Sequence, residues 1–411
     1  MNLRFGPAVE GFLLGELLRS AGWPRIRIAV EGGACVTPPG DAPLYTLRVR
    51  DRAALIRMLA EAESGFAEAY AKGRAEVEGD LAGFCREIYR AGRRGPGAGP
   101  GAGWMRSLLS WWLKVRQAAT PQGAWRNVHR HYDLPAGFYR LWLDRELVYT
   151  CAWFPHARAT LEDAQVAKME RVSRKLALDS GDRVVEAGCG WGALALYMAR
   201  HCGARVRAFN LSHEQVEYAR RRAAREGLAS EVEFIEDDYR NVSGNFDAFV
   251  SIGMLEHVGA EHYQELGRML SRWLGVSGRG LLHFIGRSRP EPLSPWIRRR
   301  IFPGAYAPVL SEALAMLEQG DYAVLDVENL RGHYARTLAC WRERFEAAQG
   351  EVERLFGGEF LRAWRLYLAG SEAAFDAGNL QLFQVLFAGR ECRRRLWTRE
   401  WAPREEPAWT A

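Results

Sequence analysis

The 411-residue sequence predicts an α/β fold: a doubly wound, mostly parallel sheet with helical roof insertions, preceded by a small N-terminal α/β domain. Two observations predict it. From about Gln165 onward, the apolar runs DRVVEAG, ARVRAFNLS, EVEFIEDD, FDAFVSIG and GRGLLHFIG alternate with stretches at helical spacing, the pattern of βαβ crossovers. Within the first of these units, VVEAGCGWGALALYMAR (Val184–Arg200) reads as a strand ending in an acid, a turn with alternating glycines, and a helix. Such a sheet holds its ligand beyond the C-terminal ends of its strands.

The elements follow in chain order. At the N-terminus, MNLRFGPAVEGFLLGELLRSAGW interrupts its apolar residues with Glu10, Glu16 and Arg19, unlike the unbroken core of a signal peptide. The strand-like runs RIRIAV and LYTLRV then alternate with the helical patterns DRAALIRMLAEAE and GDLAGFCREIYR, giving a small domain over 1–92. Its residues do not themselves state a role; docking, assembly or lipid presentation is expected of it. RRGPGAGPGAG (Arg93–Gly103) cannot sustain a helix or strand and opens a linker over 93–120. In this linker GWMRSLLSWWLKVRQ places Trp104, Leu108, Trp111, Trp112 and Val115 on one helical face, opposite Arg106 and Lys114. Residues 88–132 carry eight Lys or Arg and no acid, so this helix either packs between domains or meets anionic lipid. The third domain spans 121–411, and its residues from Pro290 onward read as mostly helical, rich in Trp, Arg and Phe.

Composition narrows the functional classes. A hydrophobic content of 48% supports at least one large core, and a net charge of +6 suits phosphate or an anionic surface without singling out nucleic acid. Seven scattered cysteines, with no CxxC pair and no Cys/His cluster, argue against a disulfide framework and against a metal site. No run approaches the roughly 20 apolar residues of a membrane span. A cytoplasmic protein is expected.

The glycine turn lacks the Walker lysine, and Gly188, Gly190 and Gly192 do not have dinucleotide GxGxxG spacing. An acid followed by GxGxG resembles the opening of class I S-adenosylmethionine-dependent methyltransferases, a Rossmann-like fold. The glycines let the backbone approach the cofactor, and Glu186 offers a carboxylate to its ammonium group.

Further motifs in order, HYDLPAGFYRLWLDRELVYTCAWF, EDDYRNVSGNFDAFVSIGMLEHVGAEHY, GLLHFIG, WIRRRIFPGAYAPVL, GHYARTLACWRERF and NLQLFQVLF, resemble the cyclopropane-fatty-acyl-phospholipid synthase family with its mycolic acid methyltransferase relatives. The resemblance runs from about His131 to the end. It implies that Tyr149, Thr150, Gly188, Gly190, Asn210, Gln215, Asp238 and Tyr239 surround S-adenosylmethionine. It also implies a bicarbonate ion ringed by Cys151, Glu256, His283, Ile285 and Tyr334. Where the family usually reads G-x-T-x-S, this chain has Ala208, Asn210 and Ser212, and Asn210 retains the capacity to bond a ribose hydroxyl. Ser371 stands where some members have a cysteine.

The implied reaction adds a methylene unit to the double bond of an unsaturated phospholipid acyl chain, through a cation on the chain and with bicarbonate as base. The expected partners are therefore unsaturated acyl chains and the anionic inner face of the cell membrane, with no nucleic acid; a homodimer is left open. Arg298, Arg299 and Arg300, framed by Trp296, Ile301 and Phe302, read either as a lipid-facing patch or as a solvated face; Arg393–Arg395 shares the ambiguity. Cys151 has no adjacent His pattern marking a nucleophile, so packing or anion contact suits it better. The alternatives are a methylene- or methyl-branching lipid methyltransferase on the same scaffold, a heteroatom methyltransferase of soluble substrates, and a non-enzymatic lipid-binding module.

Overall fold

The computed structural model describes residues 6–40, 42–94 and 134–393. The tryptophan-rich helix expected at 104–117 lies outside the described residues, as do Arg394 and Arg395. The chain groups into two compact units, Met1–Arg116 with Pro290–Pro303 and Tyr334–Leu380, and Gln117–Arg289 with Gly304–His333 and Gln381–Ala411.

The first unit is built on a four-stranded sheet of order β2-β1-β3-β4, with β1 Ile26–Val30, β2 Cys35–Val36, β3 Tyr45–Val49 and β4 Ala75–Glu78. Only β1 and β3 run parallel. Asp51 caps the helix Arg52–Ala71 by accepting from the Ala54 amide at 2.8 Å. Helix Gly358–Asp376 packs on the helices Arg52–Ala71 and Leu81–Arg94. Its Arg362 donates to the carbonyls of Tyr70 (2.7 Å) and Ala75 (2.9 Å), and its Leu361, Trp364 and Leu368 are buried. These contacts group residues 290–303 and 334–380 with the N-terminal residues, although the sequence placed them in one domain over 121–411. Arg300 forks onto Glu68 at 2.9 and 2.8 Å and reaches Glu359, and Arg299 pairs with Glu61 at 3.7 Å. Two of the three arginines read as a lipid-facing patch are thus held by acids of their own unit.

The second unit is the expected doubly wound α/β sheet, with seven strands in the order β10-β11-β9-β8-β5-β6-β7. Strands β5 Arg183–Ala187, β6 Arg205–Asn210, β7 Val232–Glu236, β8 Ala248–Ile252 and β9 Arg279–Gly286 are parallel and match the five predicted runs. Two further strands, β10 Tyr322–Asn329 and β11 Gln381–Gly389, join antiparallel; they were not read from the sequence, and the reading of a mostly helical part from Pro290 onward otherwise holds. The unbroken apolar run of β11 carries no period-2 alternation, because both of its faces are buried.

Alternation along each strand sorts the core into two layers. Val184, Val250, Leu281 and Leu386 face the layer shared with helices Leu161–Lys175, Ala193–Cys202 and His213–Arg225. Val185, Phe249, Leu282, Phe284, Val385 and Phe387 face the layer of helices Tyr263–Leu274 and Leu310–Gln319. The pleat therefore sends Glu186, His283 and Gln384 into the first layer. Strand β5 lies between β6 and β8, so the chain order reverses beside the glycine turn and opens a crevice there.

Lys175, with its side chain fully enclosed, bonds Asp326 at 3.2 Å and also Glu328, which Arg171 shares. Lys175→Met should destabilise the protein by about 3–5 kcal/mol, because Asp326 keeps its buried charge without its cation; urea denaturation with an unchanged m value measures it.

Candidate active site

The glycine turn follows β5 directly. Gly188, Gly190 and Gly192 all have positive φ (83°, 53° and 85°), which L side chains rarely adopt. A Cβ on Gly192 would stand 2.7 Å from the Phe234 ring, whereas one on Gly190 would meet nothing within 4 Å. Gly192 is thus fixed by packing, and Gly190 leaves its backbone open to a ligand. The amides of Gly188 and Cys189 donate to the Phe209 carbonyl (2.9 and 3.1 Å), tying the turn to the end of β6. Asn210 completes the tie: its Nδ2 donates to the Gly190 carbonyl at 3.2 Å and to Gln215 Oε1 at 2.7 Å, while its Oδ1 accepts from the Leu211 amide. Beyond β7, Asp238 is buried and takes the Arg240 amide and guanidinium at 2.9 and 3.0 Å, with Arg240 over the Tyr239 ring.

A strip from Val148 to Cys151 lines the same edge. Tyr149 packs edge-on against Trp142 at 5.2 Å and tilted against Tyr139 at 5.5 Å. Tyr139 in turn meets Trp191 of the glycine turn at 5.5 Å. Helix Leu161–Lys175, whose start is fixed by a capping box between Thr160 and Asp163, holds the strip with two polar side chains three residues apart. Gln165 Nε2 donates to the carbonyls of Val148 (3.2 Å) and Thr150 (2.9 Å), and Lys168 Nζ donates to Thr150 Oγ1 at 2.8 Å. The Thr150 methyl stands 3.4 Å from where a Cβ on Gly253 would lie, which places the strip against the end of β8.

Past β8, Glu256 accepts the Ile285 amide on Oε1 at 2.6 Å, and the Gly253 amide donates to the His283 carbonyl at 2.8 Å. The Glu256 carboxyl is thus bonded to the backbone at the end of β9, the strand that carries His283. Cys151 is buried in the adjoining strip, its thiol donating to the Ala152 carbonyl at 3.1 Å. Glu256 Oε2, His283 Nε2 and Glu186 Oε2 are buried without a hydrogen-bond partner among the described residues. Tyr334 belongs to the first unit, where its ring lies 4.5 Å from Phe375 and edge-on to Trp341.

Burial dominates the electrostatics. It raises Glu186 to about 8 against the pull of Lys168, and raises Glu256 to about 7 against the Ile285 amide. It lowers His283 to about 3, assisted by the positive charges of Lys168 and Lys175, and lowers Lys168 to about 8 against Cys151, Asp144 and Glu186. The histidine is neutral at physiological pH, and both carboxyls titrate near it.

Residues 119–385 match the family described as mycolic acid cyclopropane synthetase. The chain belongs to this family. It is 34% identical over 358 residues to a Pseudomonas putida protein named probable fatty acid methyltransferase, covering 84% of this chain and 88% of that one. It is 33% identical over 367 residues to the cyclopropane-fatty-acyl-phospholipid synthase of Escherichia coli K12, covering 89% and 93%. The structure of mycolic acid cyclopropane synthase CmaA1 complexed with SAH and CTAB superposes with a TM-score of 0.61 at 29% identity, over 64% of this chain and 97% of that one. The chain is accordingly an S-adenosylmethionine-dependent methyltransferase of the mycolic acid cyclopropane synthetase family.

Gln165, Lys168 and Gln384 were not read from the sequence as site residues. A signal was present for the first two, since Gln165 and Lys168 sit at i, i+3 on the helix face that also carries Met169 and Val172. For Gln384, the one polar residue in the run LFQVLFA (382–388), the signal was a lone amide in a buried apolar run.

A carboxyl whose folded-state pKa lies above its unfolded value of 4.5 binds its proton more tightly in the folded chain. Its stabilising contribution is complete below about pH 4.5 and is lost as pH rises through 7 for Glu256 and through 8 for Glu186. Glu186→Gln should therefore flatten the decline of stability between pH 5 and pH 9 (roughly the window spanning both values), read by denaturant unfolding at each pH.

Proposed function

We propose that this chain forms cyclopropane rings on unsaturated phospholipid acyl chains, drawing the added carbon from S-adenosylmethionine and delivering the surplus proton to bicarbonate. The observation that carries the proposal is the buried Glu256 bonded to the Ile285 amide at the end of β9, the strand that carries His283, with Glu256 Oε2 and His283 Nε2 buried and unpartnered among the described residues. Family membership and the name of the Escherichia coli relative support it.

The residues present fit both groups. For S-adenosylmethionine, the open backbone at Gly190 admits the ligand, and the unpartnered Glu186 Oε2 suits its ammonium. Tyr149, Thr150, Gly188, Asn210, Gln215, Asp238 and Tyr239 complete the assignment. For bicarbonate, an acceptor at Glu256 Oε2 and an imidazole nitrogen at His283 match an anion that both donates and accepts. Cys151 and the Ile285 backbone stand beside them, and Tyr334 enters on the resemblance alone. When bound, S-adenosylmethionine supplies a methyl group made electrophilic by its sulfonium, and bicarbonate supplies a weak base.

The chain's own residues do the rest. An acyl double bond is a weak nucleophile, so alignment is the first requirement, and the strip 148–151, clamped by Gln165 and Lys168, provides a fixed wall for it. After alkylation the acyl chain carries a positive charge that water would trap as an alcohol. The rings of Tyr139, Trp142, Tyr149 and Trp191 exclude water from this edge. Each favourably placed aromatic face steadies a cation by about 0.5–2 kcal/mol. Glu256, at about 7, holds or releases a proton on Oε2 near neutral pH, so it can orient the anion that takes the proton leaving the acyl chain.

The protein would work at the surface of an anionic bilayer on its cytoplasmic side; no helix among the described residues is long and apolar enough to cross one. The basic, tryptophan-rich sequence between residues 88 and 132 supports this, with its eight Lys or Arg and no acid. A methylene- or methyl-branched product is the second reading, favoured by the name of the Pseudomonas putida relative; alkylation is common to both.

Incubating the protein with labelled S-adenosylmethionine and monounsaturated phospholipid vesicles should add one CH2 to the lipid, with olefinic proton signals replaced by those of a cyclopropane ring. Retained olefinic signals would establish the branched product, and labelling of soluble acceptors alone would overturn the lipid reading. Glu256→Gln should lower kcat by about 10²–10⁴-fold with the KM for S-adenosylmethionine little changed.

A further inference from the structure

We propose that Gln384 fixes the tautomer of His283, placing the single imidazole proton on Nε2 so that the ring offers a donor to an anion at the strand ends. The functional consequence rests on the anion-site reading above, whereas the tautomer itself does not. Strands β9 and β11 run antiparallel in a register that sets His283 directly opposite Gln384. The pleat sends both side chains into the same core layer, where they are 2% and 1% exposed. Gln384 Nε2 lies 3.1 Å from His283 Nδ1. An amide nitrogen carries two protons and no available lone pair, so this contact is a hydrogen bond only if Nδ1 accepts.

The remaining proton then has one place to go. The ring is enclosed in an apolar layer with the ammonium groups of Lys168 and Lys175 as its charged neighbours, so it is neutral and holds one proton. With Nδ1 acting as acceptor, that proton sits on Nε2, the nitrogen without a partner among the described residues. His283 so oriented donates to an anion; the other tautomer would turn a lone pair toward it. Gln384 touches neither substrate nor cofactor in this scheme and acts through the imidazole, as outer partners of metal-bound histidines do.

The test combines spectroscopy with anion titration. Nitrogen-15 NMR of histidine-labelled protein, with the His283 signals assigned by their loss in His283→Gln, distinguishes the Nε2–H, Nδ1–H and imidazolium forms. The wild-type ring should be Nε2–H. Gln384→Glu, which places an acceptor opposite Nδ1, should draw a proton onto that nitrogen. Gln384→Leu should leave a mixture of the two neutral tautomers. In activity assays both variants should require about 10–100-fold more bicarbonate for half-maximal rate, with the KM for S-adenosylmethionine within about twofold of wild type, a split that a merely structural role would not produce. An Nδ1–H ring in the wild type overturns the proposal, as does an unchanged tautomer in both variants. If the wild type shows the Nε2–H ring, displaced in the variants, but no response to bicarbonate, the anion reading falls while the assignment of Gln384 stands.

Discussion

A lysine ammonium enclosed in an apolar layer organises the edge of the sheet where this enzyme works. Lys168 is 3% exposed, and a cation so placed must be met by hydrogen bonds and opposite charge or give up its proton. It meets Thr150 Oγ1 directly and the fields of Cys151, Asp144 and Glu186 around it. These partners come from three separate segments: the strip before the helix, the turn Asp144–Val148, and the end of β5. Satisfying one charge therefore brings the strip, the helix Leu161–Lys175 and the glycine turn into a single register. The capping box at Thr160 sets the phase of that helix, so that Gln165 and Lys168 arrive together on the strip. Glu186 is left with one oxygen bare among the described residues, which is what suits it to the cofactor role proposed for it.

Most of the parallel sheet was legible in the sequence, because each of its strands is a short apolar run bounded by an acid, a glycine or an asparagine. The glycine turn was legible for the same reason: alternating glycines after a β-branched strand are needed only where φ is positive or a ligand approaches, and Gly188, Gly190 and Gly192 show the first. Strands β10 and β11 were not, since a run buried on both faces has no alternation to distinguish it from a buried helix. Partnerships across long separations were equally silent. Nothing near Gln384 in sequence announces His283, 101 residues earlier, and nothing near Arg362 announces Tyr70, 292 residues earlier. Asn210 shows a subtler gap. Its type suggested a ribose contact, while its amide is already committed to the Gly190 carbonyl and Gln215, so the residue shapes the turn whatever else it meets. Tyr334 was legible as a residue of its motif but not as a member of the first unit, because unit membership is settled by helix packing rather than by order in the chain.

The same burial acts in opposite directions on the groups gathered here, and this divides their chemical roles. Glu256 is raised to about 7, so at neutral pH it exchanges a proton at little cost. His283 is lowered to about 3, so converting it to imidazolium at pH 7 costs about 1.4 kcal/mol for each unit of the gap, roughly 5 kcal/mol in all. For the proposed reaction this makes the histidine a poor base, even though histidine is the side chain usually expected in that role. With the tautomer proposed above, the ring would donate a hydrogen bond and the proton would be taken by an oxygen. Glu256, pinned through Oε1 to the Ile285 amide and open at Oε2, offers such an oxygen, and in the proposed reaction it would orient a weakly basic anion. In the proposed reaction, depressing the histidine and elevating the carboxyl would confine proton transfer to oxygen atoms at the end of the sheet.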